Sequence, residues 1–180
     1  PAILILTFAW TLSGICGENY LNAGGYVSGV VKASQMGYAI IPGIFFLIAM
    51  GLAFATGTSW GTFGILIPIA AAIFGGDLTQ MLVFTVSAIL AGAVCGDHIS
   101  PISDTTILAS TGAACNHIEH VSTQLPYALL VAGCSFVGYL VMGFSQNGWL
   151  VLGFSFLLLF CFLTLLYRQE KSKNLQETDR

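Results

Sequence analysis

Charged side chains are scarce in this sequence of 180 residues, where they make up 7% of the chain. A soluble domain carries about 25% charged residues, so this composition excludes an ordinary water-soluble globular domain. No charged residue occurs at positions 33–76, 78–96 or 121–167, and each stretch is at least about as long as the ~20 residues that cross a bilayer as a helix. These runs, with 56% hydrophobic residues overall, predict an all-α polytopic membrane protein.

Cysteine pairs and a nucleotide-binding loop are also missing. The five cysteines form no CxxC pair and most lie in or beside apolar runs, so we interpret them as small membrane residues rather than metal ligands or disulfide partners. The net charge of -3 is too small to indicate a nucleic-acid partner. Neither GxxxxGKS nor GxxxxGKT occurs, which argues against an intrinsic ATP-driven pump.

The apolar runs predict about five to six transmembrane segments within residues 1–167, followed by a polar tail at 168–180. The expected helical pieces cover residues 1–16, 36–56, 64–74, 78–95, 106–114, 125–144 and 149–167. The tail carries four of the five basic residues, so the positive-inside rule places it in the cytoplasm. Because the chain starts inside an apolar run, we expect it to be the C-terminal piece of a longer protein.

Small residues recur at four-residue spacing in the run before residue 96. Ala88, Gly92 and Gly96 form a small-xxx-small pattern, which lets helix backbones approach closely in lipid. The pattern predicts a tightly packed helix pair at this point of the bundle.

A first polar break interrupts the apolar runs at residues 56–62, in the sequence TGTSWGT. Unpaired backbone in hydrocarbon is costly, so open chain survives there only where it lines a cavity or packs inside protein. Gly57 and Gly61 permit the change of backbone direction. Hydroxyl oxygens, which a hard cation prefers, come from Thr56, Thr58, Ser59 and Thr62.

A second polar break, residues 96–106, adds ionisable groups. Asp97 and Asp104 are seven residues apart, and Pro101 between them argues against a continuous helix. A bend at the proline predicts that both carboxylates fold toward a common pocket. Carboxylates that share a low-dielectric site favour a bound proton, and a nearby cation reverses this preference, which is the chemistry of proton/cation exchange. The other candidates in this break are His98, Ser100, Ser103, Thr105 and Thr106 as ligands, with Gly96 shaping the backbone.

Helix capping is the alternative reading of the two aspartates. Asp97 and Asp104 could cap helices that begin near residues 99 and 105. Intramembrane carboxylates are costly and usually functional, so we favour the site. Capping could explain either aspartate alone, but not two polar breaks in one membrane.

The run NHIEH at residues 116–120 resembles a metal site only superficially. Its two histidines lie three residues apart in a polar stretch, where charged residues are expected, and we interpret it as a connector. Metal binding and pH sensing at a pore mouth are the alternatives.

The two breaks together resemble the NhaC-type Na+/H+ antiporter family. The matching sequences are GTSWGTFGILIPIA and GDHISPISDTTILASTGAACNHIEHVSTQLPYALL, and the resemblance covers about residues 51–143. It implies an ion-transporter fold of inverted repeats with two discontinuous, broken or re-entrant helices, of which this chain is one half. It also implies a Na+ site at Asp97, Asp104, Thr58 and Ser59.

The resemblance implies a secondary antiporter that exchanges Na+ for H+ in the bacterial inner membrane. We therefore expect no enzymatic activity, no cofactor beyond the transported Na+ and H+, and no nucleic acid. The expected partners are the lipid bilayer and the N-terminal half of the same protein, with a homodimer as a further option. One alternative is exchange of small organic ions such as malate or lactate on the same scaffold. A remote alternative is an intramembrane hydrolase that uses Asp97, His98 and Ser100, although adjacent residues on a helix point about 100° apart, which is unfavourable for a catalytic triad.

Overall fold

The computed structural model describes residues 37–75 and 79–178, with side chains described as far as residue 168, and isolated positions between residues 7 and 29. The helix predicted over residues 1–16 therefore lies outside the continuously described chain. The same is true of the acidic position in the GGD turn signal at residues 75–77.

Six α-helices make up the described chain, and it contains no strand. A 3-10 turn at Tyr38–Ile40 leads into the first helix. The helices are α1 (Ile41–Thr56), α2 (Ser59–Ile73), α3 (Gln80–Ile99), α4 (Asp104–Gly112), α5 (His117–Ser145) and α6 (Gly148–Thr178). The prediction of an all-helical fold is thus confirmed for this part of the chain.

Four of these segments are long and apolar enough to cross a membrane. They are Tyr38–Thr56, Gln80–Ile99, His117–Ser145 and Gly148–Arg168. α2 is apolar but shorter, with 15 residues. The predicted total of five to six transmembrane segments includes the N-terminal stretch, which the structure does not describe continuously.

Helices α1 and α2 form an antiparallel hairpin. A two-residue turn, Gly57 and Thr58, joins them at one end, and Gly57 adopts a left-handed φ of 67° as it ends α1. At the other end the rings of Tyr38 and Phe74 lie 6.0 Å apart. The first polar break is therefore narrower than predicted, because Ser59 already begins α2.

Helix α3 packs closely against α1 through its small residues. An added Cβ at Gly92 would strike the Phe46 carbonyl, and one at Gly96 would strike the Met50 carbonyl. Ala88 is fully buried on the same side. The predicted small-residue packing stripe is confirmed, and it brings the C-terminal end of α3 beside the Gly57-Thr58 turn.

The second polar break is also shorter than predicted. α3 continues through Asp97 and His98 to Ile99, so only residues 100–103 leave helical geometry. Neither aspartate caps a helix. Ser103 caps α4 by accepting a hydrogen bond from the Thr105 N–H, and Asp104 is the first residue of α4. The capping alternative for the two aspartates is therefore wrong.

Helix α5 starts earlier than the sequence predicted. Asn116 is its N-cap, accepting hydrogen bonds from the N–H groups of Ile118 and Glu119. The stretch read as a polar connector is therefore the first turns of α5, because the Asn116 cap satisfies backbone donors that would otherwise need water. The predicted turn between α5 and α6 is confirmed at Gln146 and Asn147.

Candidate functional site

The two polar breaks meet at one end of the bundle. A Cβ at Gly57 would lie 2.9 Å from the backbone oxygen of Ile102, so a glycine is needed for this approach. Beside it, Ser100 Oγ donates a hydrogen bond of 2.8 Å to the carbonyl of Phe54 in α1. The Gly57-Thr58 turn and the 100–103 loop are therefore one structural unit.

Asp97 lies at the centre of this unit and is only 4% exposed. Ser103 Oγ donates to its Oδ1 over 2.7 Å. Two longer bonds reach its Oδ2, from Ser59 Oγ at 3.4 Å and from Thr105 Oγ1 at 3.5 Å. The carboxylate thus receives hydroxyls from both polar breaks, one from α2 and two from the start of α4.

The hydroxyls form a chain that suits either protonation state of Asp97. Ser103 and Thr105 hydroxyls lie 2.7 Å apart, and Ser103 Oγ also accepts from the Thr105 N–H at 3.2 Å. When Asp97 is ionised, Ser103 donates to the carboxylate, and the single hydroxyl hydrogen of Thr105 is donated either to Ser103 or to Asp97 Oδ2. Because hydroxyl hydrogens rotate, the direction of the chain can reverse when Asp97 carries the proton.

The surroundings of Asp97 contain oxygen donors and no compensating positive charge in the described chain. Its side chain is hydrogen-bonded there only by hydroxyl groups. An ionised carboxylate is costly to bury without a positive charge nearby, and hydrogen bonds from hydroxyls offset part of that cost. Carboxylate and hydroxyl oxygens are the ligands that hard cations prefer. This arrangement can therefore hold either H+ or a metal cation at one carboxylate.

Several predicted ligands instead bond backbone groups at the breaks. Thr106 Oγ1 lies 3.1 Å from the His98 carbonyl and so satisfies the C-terminal end of α3. Thr56 donates to the Leu52 carbonyl and Thr62 to the Thr58 carbonyl, each within its own helical turn. The Thr58 hydroxyl has no hydrogen bond among the described residues. It lies in the turn between α1 and α2.

Asp104 and His98 stand apart from the buried carboxylate. Both side chains are exposed, and that of Asp104 makes no hydrogen bond within the described chain. The predicted common pocket for Asp97 and Asp104 is not formed here, because Asp104 follows the Ser103 cap on the outer side of α4. His98 bonds the Val94 carbonyl of its own helix through Nδ1, and Ser100 bonds Phe54. The side chains of the three residues of the hydrolase alternative are therefore not hydrogen-bonded to one another.

Sequence reasoning missed the role of His117. Its Nε2 lies 2.7 Å from the Pro101 carbonyl and its Nδ1 lies 3.0 Å from Ser110 Oγ. The asparagine directly before it was the available signal, because Asn116 is a favourable N-cap that places His117 in a helix. The described residues contain no cluster of three or more metal-ligating side chains.

The sequence of residues 1–144 matches the Na+/H+ antiporter family. The chain belongs to this family. It is 52% identical over 141 residues to an uncharacterized protein of Haemophilus influenzae, a match that covers 78% of this chain and 27% of that protein. It is 33% identical over 142 residues to an uncharacterized Na+/H+ antiporter of the same organism, covering 73% of this chain and 28% of the relative.

A third relative carries a more specific name. The malate-2H+/Na+-lactate antiporter of Bacillus subtilis is 38% identical over 109 residues, which cover 57% of this chain and 23% of that protein. The chain therefore spans about a quarter of the length of the curated relatives it matches. No solved structure matches it significantly.

Proposed function

We propose that the protein to which this chain belongs is a secondary antiporter that exchanges Na+ for H+, with both ions sharing Asp97. The observation that carries the proposal is the burial of this carboxylate among hydroxyls from both polar breaks. Membership of the Na+/H+ antiporter family agrees with it.

The exchange rests on competition for one negative charge. With Na+ bound, Asp97 is ionised and Ser59, Ser103 and Thr105 supply further oxygen ligands. With the cation gone, a proton neutralises the buried carboxylate. Because the site cannot remain empty and charged, each ion's departure requires the other's arrival, and this requirement couples the two fluxes.

The Gly57-Thr58 turn has a place in the same site. Thr58 is extended between two helices, and its hydroxyl, next to Ser59, makes no hydrogen bond with the residues that the structure describes. We assign Thr58 to the cation site together with Asp97 and Ser59. Asp104, exposed on α4, is assigned to the rim, where it attracts cations rather than binding them in the pocket.

We place the protein in a cell membrane, the bacterial inner membrane, with its polar tail in the cytoplasm. In this proposal the remainder of the longer protein supplies a second, inverted set of broken helices that closes the site from the other side. The proposal includes no cofactor and no enzymatic step.

Exchange of organic ions is the second candidate. Two relatives favour it by their names: the malate-2H+/Na+-lactate antiporter of Bacillus subtilis, and an arginine/ornithine antiporter of Halobacterium salinarum, 37% identical over 107 residues. In this version Asp97 binds the coupling ion and the organic ion binds elsewhere in the longer protein.

Flux measurements on the full-length protein in everted vesicles test both candidates. Under the first, adding Na+ moves protons without any organic ion present. Under the second, proton movement requires malate, lactate or a basic amino acid on one side, and labelled organic ion exchanges in counter-flow. Proton flux that ignores both Na+ and organic ions would contradict the antiport proposal.

A further inference from the structure

His117 joins three elements that sequence order keeps apart. It is the first residue of α5, its Nε2 contacts the 100–103 loop at the Pro101 carbonyl, and its Nδ1 contacts Ser110 of α4. The side chain is half-buried. It lies outside the hydroxyl cluster around Asp97.

These hydrogen bonds determine which nitrogen of the neutral imidazole ring carries the hydrogen. A backbone carbonyl only accepts hydrogen bonds, so Nε2 must carry a hydrogen and donate it to Pro101. In the neutral ring Nδ1 then accepts from the Ser110 hydroxyl. Ser110 Oγ also lies 3.0 Å from the Ile107 carbonyl, so its proton has a second acceptor. Loss of His117 would therefore leave the Ser110 hydroxyl with an acceptor but would remove the hydrogen bond to the Pro101 carbonyl.

The Pro101 carbonyl needs such a partner because the chain is not helical there. Proline supplies no N–H, and backbone groups released from a helix must find other partners. Two backbone bonds hold the rest of the 100–103 loop: Ser100 N to the Asp97 carbonyl at 3.2 Å, and Ser103 N to the Ser100 carbonyl at 3.3 Å. Ser100 Oγ adds two more, because it donates to the Phe54 carbonyl and accepts from the Ile102 N–H. His117 holds the side of the loop that faces α4 and α5.

The position of this loop sets the distance between Ser103 Oγ and Asp97 Oδ1, which is the shortest hydrogen bond to the carboxylate. Ser103 is two residues after Pro101 and donates to Asp97 over 2.7 Å. A hydrogen bond becomes much weaker when this distance grows beyond its normal range. We propose that His117 is a positioning residue, which holds the 100–103 loop so that Ser103 stays in contact with Asp97. The consequence for ion binding rests on the proposed function, whereas the structural role does not.

Hydrogen–deuterium exchange of the full-length protein tests the structural role directly. The informative amides are those of Ile102, Ser103 and Thr105, which are bonded within the loop and its cap. We expect His117→Ala to speed their exchange about 3- to 10-fold, the range that one lost neutral hydrogen bond produces. His117→Gln, which keeps a side-chain N–H donor, restores most of the protection.

His120 supplies the matched control. It lies one turn further along α5, and its side chain makes no hydrogen bond within the described chain. His120→Ala leaves the loop amides unchanged if the proposal is right. Unchanged loop exchange in His117→Ala would overturn the proposal. An equal rise in the exchange rate of the Ser87 and Tyr139 amides would also overturn it. The hydroxyls of these two residues join α3 to α5, so faster exchange there would indicate general loosening of the bundle.

Transport kinetics test the link to the ion site. In the same variants, His117→Ala raises the apparent KM for Na+ several-fold at nearly unchanged maximal rate, and His117→Gln recovers it. Faster amide exchange in the loop together with an unaltered KM for Na+ would overturn the positioning role. Failure of the wild-type protein to exchange Na+ at all would instead contradict the proposed function, while the exchange data would still decide what His117 does to the loop.

Discussion

At the scale of single residues, the site depends on how a buried carboxylate is neutralised. Asp97 is 4% exposed and its hydrogen-bond partners are hydroxyls that can turn either way. Lysine or arginine in the same place would neutralise the charge permanently. In the proposed function, hydroxyls leave the carboxylate to be neutralised by either a proton or a small cation, as an exchanger requires.

Ser103 makes the strongest contact with Asp97, and its removal is a direct test of that contact. A hydrogen bond to a charged group contributes about 1.5–3 kcal/mol. We therefore expect Ser103→Ala to raise the KM for Na+ by about tenfold or more in proton-flux assays of the full-length protein.

Two controls separate this effect from general losses. Ser122→Ala removes an exposed hydroxyl that bonds only its own helix, at the Ile118 carbonyl, and leaves KM unchanged. Ser103 also caps α4, so Thr79→Ala, which uncaps α3 at the end away from Asp97, measures how much a lost cap alone changes. Equal KM shifts in Ser103→Ala and Thr79→Ala would show that Ser103 acts only as a cap.

At the scale of elements, the approach of the two breaks depends on Gly57. Its backbone adopts a left-handed φ of 67°. In addition, an added Cβ would lie only 2.9 Å from the backbone oxygen of Ile102. The first feature costs an L-residue about 1–2 kcal/mol, and the crowding adds a cost of about 1–3 kcal/mol. We expect Gly57→Ala to lower thermal stability and Na+ exchange together.

Gly75 provides the matched comparison for Gly57. Its φ is 74°, but an added Cβ there would meet nothing within 4 Å. Gly75→Ala therefore carries the backbone strain without the clash. A melting temperature lowered equally in both variants would mean that the contact between the turn and the loop contributes nothing.

The close packing of α1 against α3 predicts opposite effects of alanine at two helical glycines, Gly96 and Gly133. Alanine at Gly96 would push against the Met50 carbonyl, whereas alanine at Gly133 of α5 would meet nothing within 4 Å. Alanine is favoured over glycine inside a helix by about 1 kcal/mol. Gly133→Ala is thus expected to raise the melting temperature slightly, and Gly96→Ala to lower it. A neutral or stabilising Gly96→Ala would contradict close helix contact at this position.

The sequence predicted these elements better than their ends. Apolar runs and the Ala88–Gly92–Gly96 spacing located the helices and one packing face. The polar character of residues 96–99 predicted an unwound chain, yet α3 continues because Asp97 finds its partners on other elements. Ser59 is 38 residues from Asp97 and Phe54 is 46 from Ser100. Such pairings cannot be read from local patterns.

The two predicted carboxylates show the same limit within one site. Spacing alone treated Asp97 and Asp104 as equivalent, but burial separates them. Which of two nearby acids is covered depends on the tertiary contacts of α2 and α4, and these follow from folding rather than from sequence distance.

At the scale of the whole molecule, α6 stands out as the least buried of the long helices. Only 6% of its apolar window is buried inside the chain, and it packs on α5 through contacts such as that between Gly138 and Ser155. The family match ends at residue 144, before α6 begins. The apolar part of α6, Gly148–Arg168, therefore suits a lipid environment.

The orientation of the chain is a prediction at this scale. Four basic residues after residue 167 place the tail in the cytoplasm by the positive-inside rule. A C-terminal fusion of the full-length protein to a reporter that fluoresces only in the cytoplasm is therefore expected to fluoresce. Activity of a fused periplasmic phosphatase at the same position would reverse the proposed orientation.

The central claim is that Na+ and H+ compete for Asp97. Its most direct test is proton release into weakly buffered solution when Na+ is added to the purified full-length protein, because binding of a metal ion to a protonated ligand releases its proton. We predict that the wild-type protein releases about one proton for each Na+ it binds, and that the release saturates. Glu119→Gln, which removes an exposed carboxylate outside the site, is expected to behave in the same way. In Asp97→Asn, Na+ is expected to release no proton. Undiminished, Na+-dependent proton release from Asp97→Asn would contradict the claim.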